Sequence, residues 1–426
     1  MVYNINSLLK NKIFINGMWL YILQIFNTVL PLLTLPYITR ILGSSQYGVF
    51  SFSLTFVTYF QVIVEYGFNL SGSRKLALAS NQEEKSRIFT RITMTKLILC
   101  VMSFIIMIVT AFLLGLDEKQ LYLILILFTI VIGTAIQQVW LFQGLQVMKY
   151  ITIINVLSRT LSVLLIFLLI RDSTQVYLYS ALYAVTFLFN GILSATITRY
   201  KLKIQFTSFS FKDIISELKD GWHIFTTSAM SVVFSGIGVT VLGLSNSDST
   251  IGVYSAIQKV PYIMIMMFSP VGQAIFPRIS QKFSNSFDDG IKSVTRILSI
   301  ILPIIGIVSF IMIIFSSSIV NLIYGKQYSA YHSLMLPLVL WFFLSILNNF
   351  LGIQSLVSSG YQKEYGIAFR ISVIAIVILN ILLGYNFGAY GVAYATMFSE
   401  FVLTLSLVYQ LNKVKSKIRR NYSTLC

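Results

Sequence analysis

Twelve apolar runs, each of about the length that carries a helix across a bilayer, dominate this chain of 426 residues. They cover residues 14–38, 47–70, 97–116, 121–142, 151–170 and 176–197, then 222–244, 251–276, 297–315, 334–353, 365–383 and 392–411. A membrane-spanning helix needs about 20 predominantly apolar residues. Inside hydrocarbon the backbone must satisfy its own hydrogen bonds, which leaves helices and closed barrels as the available structures. Barrel strands would show as segments of about ten residues with alternating polarity, and these runs are longer and continuously apolar. The sequence therefore predicts an all-α, polytopic membrane protein with twelve transmembrane helices. The composition agrees, with 56% hydrophobic against 11% charged residues.

A net charge of +17 raises the question of a nucleic-acid partner, and the placement of the charge answers it. If the odd-numbered helices start inside, 24 of the 31 basic residues fall in the seven cytoplasmic segments, from Lys10 and Lys12 to Arg419 and Arg420. Four fall on the other side (Arg40, Lys119, Arg171, Lys326) and three within or at the edges of spans (Lys96, Arg159, Lys259). This is the positive-inside asymmetry of an integral membrane protein. It predicts that both termini are cytoplasmic and removes the need for nucleic acid. The first run is too long for the apolar core of a cleaved signal peptide and passes through Pro31 and Pro36 to Arg40, so the first helix is expected to be the membrane signal. Cys100, within the third span, and Cys426, at the tail, provide no disulfide framework.

The longest break between runs, residues 198–221, divides the chain into two sets of six helices, taken as lobes 1–205 and 206–426. Within it Phe211, Ile214, Ile215 and Leu218 recur at helical spacing while Lys212, Asp213, Glu217 and Lys219 take the other face. This reads as a short interfacial helix. The halves also echo each other. NGMW at 16–19 leads to ILG at 41–43 and YGVFS at 47–51; DGW at 220–222 leads to VLG at 241–243 and IGVYS at 251–255. The same order and orientation describe a parallel repeat about an axis along the membrane normal, and transporters of that build bind substrate near the midplane.

The first helix running into LPYITRILGSSQYGVFSF, then YGFNLSGSRKLA, and GAYGVAYAT at 388–396 together resemble the polysaccharide transporter family. The likeness is strongest to the O-antigen flippases of the multidrug/oligosaccharidyl-lipid/polysaccharide exporter superfamily. It covers essentially the whole chain in length and helix count, and its motifs are packing and turn signatures. It implies two six-helix lobes around a central cavity in the bacterial inner membrane. It implies an undecaprenyl-diphosphate-linked oligosaccharide as substrate, moved from the cytoplasmic to the periplasmic leaflet, with membrane lipids and other polysaccharide-assembly proteins as partners. No cofactor is implied.

Polar residues inside the spans mark the candidate pathway. An ionised side chain near the bilayer centre costs about 2.5–3.5 kcal/mol on insertion scales, and such residues normally face the bundle interior or a water-filled path. On the second helix Thr58, Gln61, Glu65 and Asn69 form one stripe. Gln24, Asn27 and Thr34 lie near one face of the first; Asn155, Arg159 and Ser162 share a face of the fifth; Ser255, Lys259, Tyr262 and Ser269 share one of the eighth. Lys96 lies close to a cytoplasmic helix end and is expected to snorkel. Arg40 is either an anchor or a cavity residue. Arg159 and Lys259 lie about 12 Å into their spans at 1.5 Å per residue, beyond easy snorkelling. Arg159, Lys259, Arg40, Gln24, Asn27 and Gln61 are accordingly the candidate substrate contacts. Glu65 and Glu400 are candidates for charge pairing, the favoured role, or for ion coupling.

Enzyme readings have less behind them. His223 and His332, the only histidines, have no metal-ligand spacing around them and read as interfacial residues. No phosphate-binding loop and no extended extracytoplasmic loop is present. A polysaccharide polymerase or glycosyltransferase is the enzyme alternative, and a multidrug and toxin extrusion antiporter, whose substrates are usually cationic, is the alternative within transporters.

Overall fold

A computed structural model describes residues 12–423, and among them every regular element is helical. Lys10 and Cys426 lie outside the described residues. In chain order the helices are α1 (Lys12–Glu65), α2 (Phe68–Leu78), α3 (Gln82–Leu113), α4 (Glu118–Leu127), α5 (Thr129–Ile136), α6 (Val139–Gly144), α7 (Met148–Leu169) and α8 (Val176–Tyr200). They continue as α9 (Phe211–Ser245), α10 (Asp248–Asn285), α11 (Phe287–Ile314), α12 (Ser316–Tyr324), α13 (Lys326–Ser329), α14 (Met335–Leu351), α15 (Gln362–Leu379) and α16 (Tyr385–Ser423).

Ten helical stretches are long and apolar enough to cross a membrane, and two of these, Ile15–Leu78 and Gln362–Ile418, each hold two spans. In the first the chain turns at Gly43 (φ 72°, ψ 172°), in the second at Gly388 (φ 56°, ψ −135°). Both conformations crowd a Cβ, so glycine supplies each turn. The two divisions make twelve spans, and the protein is a multi-pass membrane protein.

Burial within the spans runs opposite to that of a soluble helix. On α3, Val101, Ile105 and Phe112 are exposed while Ser103, Met107 and Ala111 are buried. Large apolar side chains point outward, where lipid accepts them, and small or polar ones meet neighbouring helices.

Two local expectations need correction. The segment 211–219 is no separate interfacial helix, because α9 continues from Phe211 through the seventh span to Ser245 without a break. Nothing in the sequence between 219 and 222 stops a helix, since Gly221 alone is tolerated within one. The fourth span, conversely, is interrupted. Gln137 is extended and Gln138 is non-helical, so α5 and α6 are separate pieces.

The chain forms two compact units. One comprises residues through Leu42 together with Val49–Gly236; the other comprises Gly43–Gly48 with Ile237 onward. In the first, the fifth span is tied to the first by Thr152 Oγ1, which donates to Trp19 O at 2.8 Å, and the interior is filled by side chains such as Val57, Ile92, Leu123 and Trp140. In the second, Ile279, Phe342, Ile346 and Phe350 form a core cluster.

The glycines of the two echoed motifs meet inside the second unit. A Cβ on Gly48 would stand 1.8 Å from the carbonyl oxygen of Asp248, and one on Gly252 would stand 1.8 Å from that of Ser44. The contact is reciprocal, each glycine lying against the carbonyl four residues before the other, and Ser44 Oγ and Ser249 Oγ share a hydrogen bond of 2.7 Å beside it. The Ser44–Gly48 and Asp248–Gly252 turns are thus related by a local pseudo-two-fold. Backbones approach this closely only where side chains are absent.

Candidate functional site

The polar stripe of the second span leads into the buried polar centre of the first unit. Thr58 turns its hydroxyl back to Leu54 O in its own helix (2.8 Å). Gln61 Nε2 donates to Thr134 Oγ1 at 3.2 Å and to Glu65 Oε1 at 3.3 Å. Asn69 lies past the turn at Tyr66 (φ 45°) and is exposed, so it leaves the stripe.

Behind Glu65 stands Lys96, which is 4% exposed and does not snorkel. Its Nζ donates to Gln137 O at 2.9 Å. The break in the fourth span supplies this acceptor: the amide of Leu141, four residues on, turns to Gln138 O instead, and the carbonyl it leaves is taken up by the lysine. Side chains fill the rest of the break. Gln138 Nε2 donates to Ile136 O (2.9 Å) and Thr93 Oγ1 (3.3 Å), and the Gln138 amide donates to Ser194 Oγ (3.2 Å). Lys96 and Glu65 form no direct ion pair, since the ammonium is taken up by Gln137 O.

Glu400 has a different setting in the second unit. It is 5% exposed, and Asn348 Nδ2 donates to its Oε2 at 2.6 Å and to its backbone oxygen at 3.0 Å. Thr404 Oγ1 donates to Asn348 Oδ1 at 2.8 Å and completes the arrangement. Among the described residues no cation pairs with Glu400, whose partner is a neutral amide.

The remaining candidates divide by what holds them. Asn155 accepts from Asn190 Nδ2 at 3.2 Å and Ser162 donates to Leu182 O at 2.9 Å, so both join the fifth span to the sixth. Arg159 between them is half-buried and makes no hydrogen bond or ion pair among the described residues. Lys259 is exposed, with its ammonium 5.4 Å from the Tyr262 ring centroid and no acidic partner among the described residues. Arg40 is exposed near the turn that ends the first span, and Gln24 is half-buried in that span. Asn27 has a buried Oδ1 with no hydrogen-bond partner. Of the candidates, the geometry brings Gln61 and Glu65 into contact.

Sequence reasoning missed one group. Lys75 Nζ reaches Glu217 Oε2 and Asp220 Oδ2, both at 2.7 Å, and Arg91 reaches Asp213 at 2.8 Å. These pairs bind the start of α9 to the end of α2 and to the first third of α3. The signal was three acids at helical spacing in a chain that carries few acids.

A family model for polysaccharide biosynthesis proteins matches residues 13–283. The chain belongs to that family. Among the curated relatives of this polysaccharide biosynthesis protein is one from Escherichia coli K12, named as a candidate O-antigen transporter. It is 30% identical over 353 residues, which are 82% of this chain and 85% of the relative. Two solved structures share the fold. A multidrug resistance MATE family transporter of the MOP superfamily superposes with a TM-score of 0.71 at 14% identity, covering 91% of this chain and 95% of that one. The lipid II flippase MurJ does so with 0.70 at 17% identity, covering 93% and 87%.

Proposed function

We propose that this protein is a flippase of the bacterial inner membrane that moves an undecaprenyl-diphosphate-linked oligosaccharide, an O-antigen repeat unit, from the cytoplasmic to the periplasmic leaflet by alternating access. Family membership and the name of the Escherichia coli relative support a polysaccharide precursor as cargo. The observation that carries the reading is the state of the intramembrane charges. Glu65 and Glu400 are engaged by amides of their own units, whereas Arg159 and Lys259 have no acidic partner among the described residues. Of these four groups, the two left without a hydrogen-bond partner are therefore the cations. A diphosphate crossing hydrocarbon loses its water unless donors replace it. Arg supplies two parallel donors to phosphate oxygens, and Lys a compact charge. An extrusion antiporter for cations would call for the opposite sign, and a transport role needs no catalytic group.

The deciding experiment removes the gene from its host. Surface polysaccharide is expected to be lost while the lipid-linked repeat unit accumulates in the inner leaflet; disappearance of the repeat unit itself would identify a biosynthetic enzyme instead. For orientation, single cysteines at Gln205, Asn285 and Lys417 are expected to label from the cytoplasm, and those at Glu118, Ser247 and Gln327 from the periplasm. The reverse pattern would overturn the placement of both termini inside.

A further inference from the structure

The start of α9 separates its charges by face. Ile214 and Glu217, 3% and 4% exposed, turn with Gly221 into the first unit. The acids of the segment meet cations of that unit: Glu217 and the half-exposed Asp220 share Lys75, and Asp213 meets Arg91. The outward face carries Phe211, Ile215 and Trp222, exposed by 70, 41 and 53%, beside Lys212 and Lys219. Neither lysine has a hydrogen bond or ion pair among the described residues. With its acids drawn to Lys75 and Arg91, the helix leaves Lys212 and Lys219 without an acidic partner, next to an apolar stripe.

A cavity of about 310 Å³ opens on this face, lined by Tyr66, Ile215, Leu218, Lys219 and Trp222. Its wall is held in place by Tyr66, whose ring stacks on Phe225 with centroids 4.5 Å apart and planes 6° from parallel. Its lining combines one cation, Lys219, with apolar and aromatic side chains. It lies where the seventh span enters the membrane, the level at which tryptophan and tyrosine settle among headgroups.

We infer that this cavity is a selective site for an anionic phospholipid of the bilayer, with the headgroup phosphate on Lys219 and the upper acyl chain against Ile215, Leu218 and Trp222. The charge argument selects the occupant. A zwitterionic lipid would bring its own cation to a face that already holds two unneutralised lysines, whereas an anionic headgroup supplies the missing charge. The inference stands independently of what the protein transports.

The test places the purified full-length protein in phosphatidylcholine vesicles containing increasing mole fractions of either phosphatidylglycerol or phosphatidylcholine with brominated acyl chains. The tryptophan fluorescence lost in Trp222→Phe isolates the Trp222 signal. Half-quenching of that signal is expected at an about fivefold lower fraction of the brominated phosphatidylglycerol, the preference one lysine contributes near an anionic headgroup. Lys219→Gln should remove most of the preference and Lys219→Arg should keep it, both with unchanged thermal stability because the side chain is exposed. Equal quenching by the two lipids, or a preference that survives Lys219→Gln, overturns the site. So does displacement of the brominated lipid by undecaprenyl phosphate at a lower fraction than by unlabelled phosphatidylglycerol, which would assign the cavity to a polyprenyl carrier.

Discussion

Glu65 and Glu400 are both acids within apolar spans, and their surroundings have little in common. Glu65 is half-buried at the end of α1 and touched by one side-chain amide, and Lys96 behind it is itself bound to a broken helix. Glu400 is enclosed in an unbroken stretch of helix, and its partner is a neutral asparagine. The first arrangement depends on a backbone irregularity and a full charge, the second on side-chain fit alone. An acid in a membrane helix is therefore not one kind of feature, and its mutational response should follow its partner rather than its depth.

The strongest expected effect lies at a purely steric contact of the second unit, the standard for its side-chain fit. Gly252→Ala would drive a Cβ to 1.8 Å from a backbone oxygen, with no flexible neighbour to give way. We expect more than about 4 kcal/mol of destabilisation, read as loss of folded protein after detergent extraction. Gly306→Ala, whose Cβ meets nothing within 4 Å, is the control and should be neutral or slightly stabilising. Equal behaviour of the two would remove the reciprocal contact as a constraint.

Next in size is Lys96→Met in the first unit, expected to lower stability by about 3 kcal/mol because it strips the charged donor from a buried carbonyl and leaves Glu65 without its cation. Adding Glu65→Gln should restore a minor part, since the direct partner of Lys96 is Gln137 O. Complete rescue in the thermal melt would show that the two acids are held by charge in one unit and by fit in the other more sharply than the distances indicate.

Asn348→Ala should cost about 1–3 kcal/mol, the penalty for leaving buried acceptors unmet, because it uncovers Glu400 Oε2 and leaves Thr404 with one acceptor fewer. The smallest effect belongs to Glu400→Gln. A glutamine oxygen can still accept from Asn348, so the melting temperature should move by less than the change for Asn348→Ala. If Glu400→Gln proves the more damaging of the two, the carboxylate's charge matters and the contrast with Glu65 collapses.

The spans were legible because hydrocarbon leaves the backbone so few choices: runs of apolar residues located them, while several helices, such as Gln82–Leu113 and Asp248–Asn285, run on well past the apolar run into polar sequence. Gln61 and Glu65 were legible as neighbours from their spacing. Lys96 was not, because the apolar run begins just after it and so placed it at a helix end, whereas the helix starts at Gln82 and holds it in mid-span. What reverses that expectation is a carbonyl on another helix, freed at Gln137. The paired glutamines at 137 and 138, inside an otherwise apolar run, were the readable trace of that break. Glu217 was assigned to the polar face by periodicity, which reports polarity but not the direction in which a polar group finds its partner. Lys75, 142 residues away in sequence, decided it.

The reciprocal glycine contact also orders events in time. Gly48 belongs to the second span, yet its partner Gly252 and the unit it packs into are made roughly 200 residues later, about 10–40 s at a synthesis rate of ~5–20 residues per second. Throughout that interval the start of the second span stands in the bilayer without the surface it is shaped for. A chain stalled between the sixth and eighth spans therefore has its Gly48 face made but its partner helix not yet present, and that face is open to a wrong neighbour.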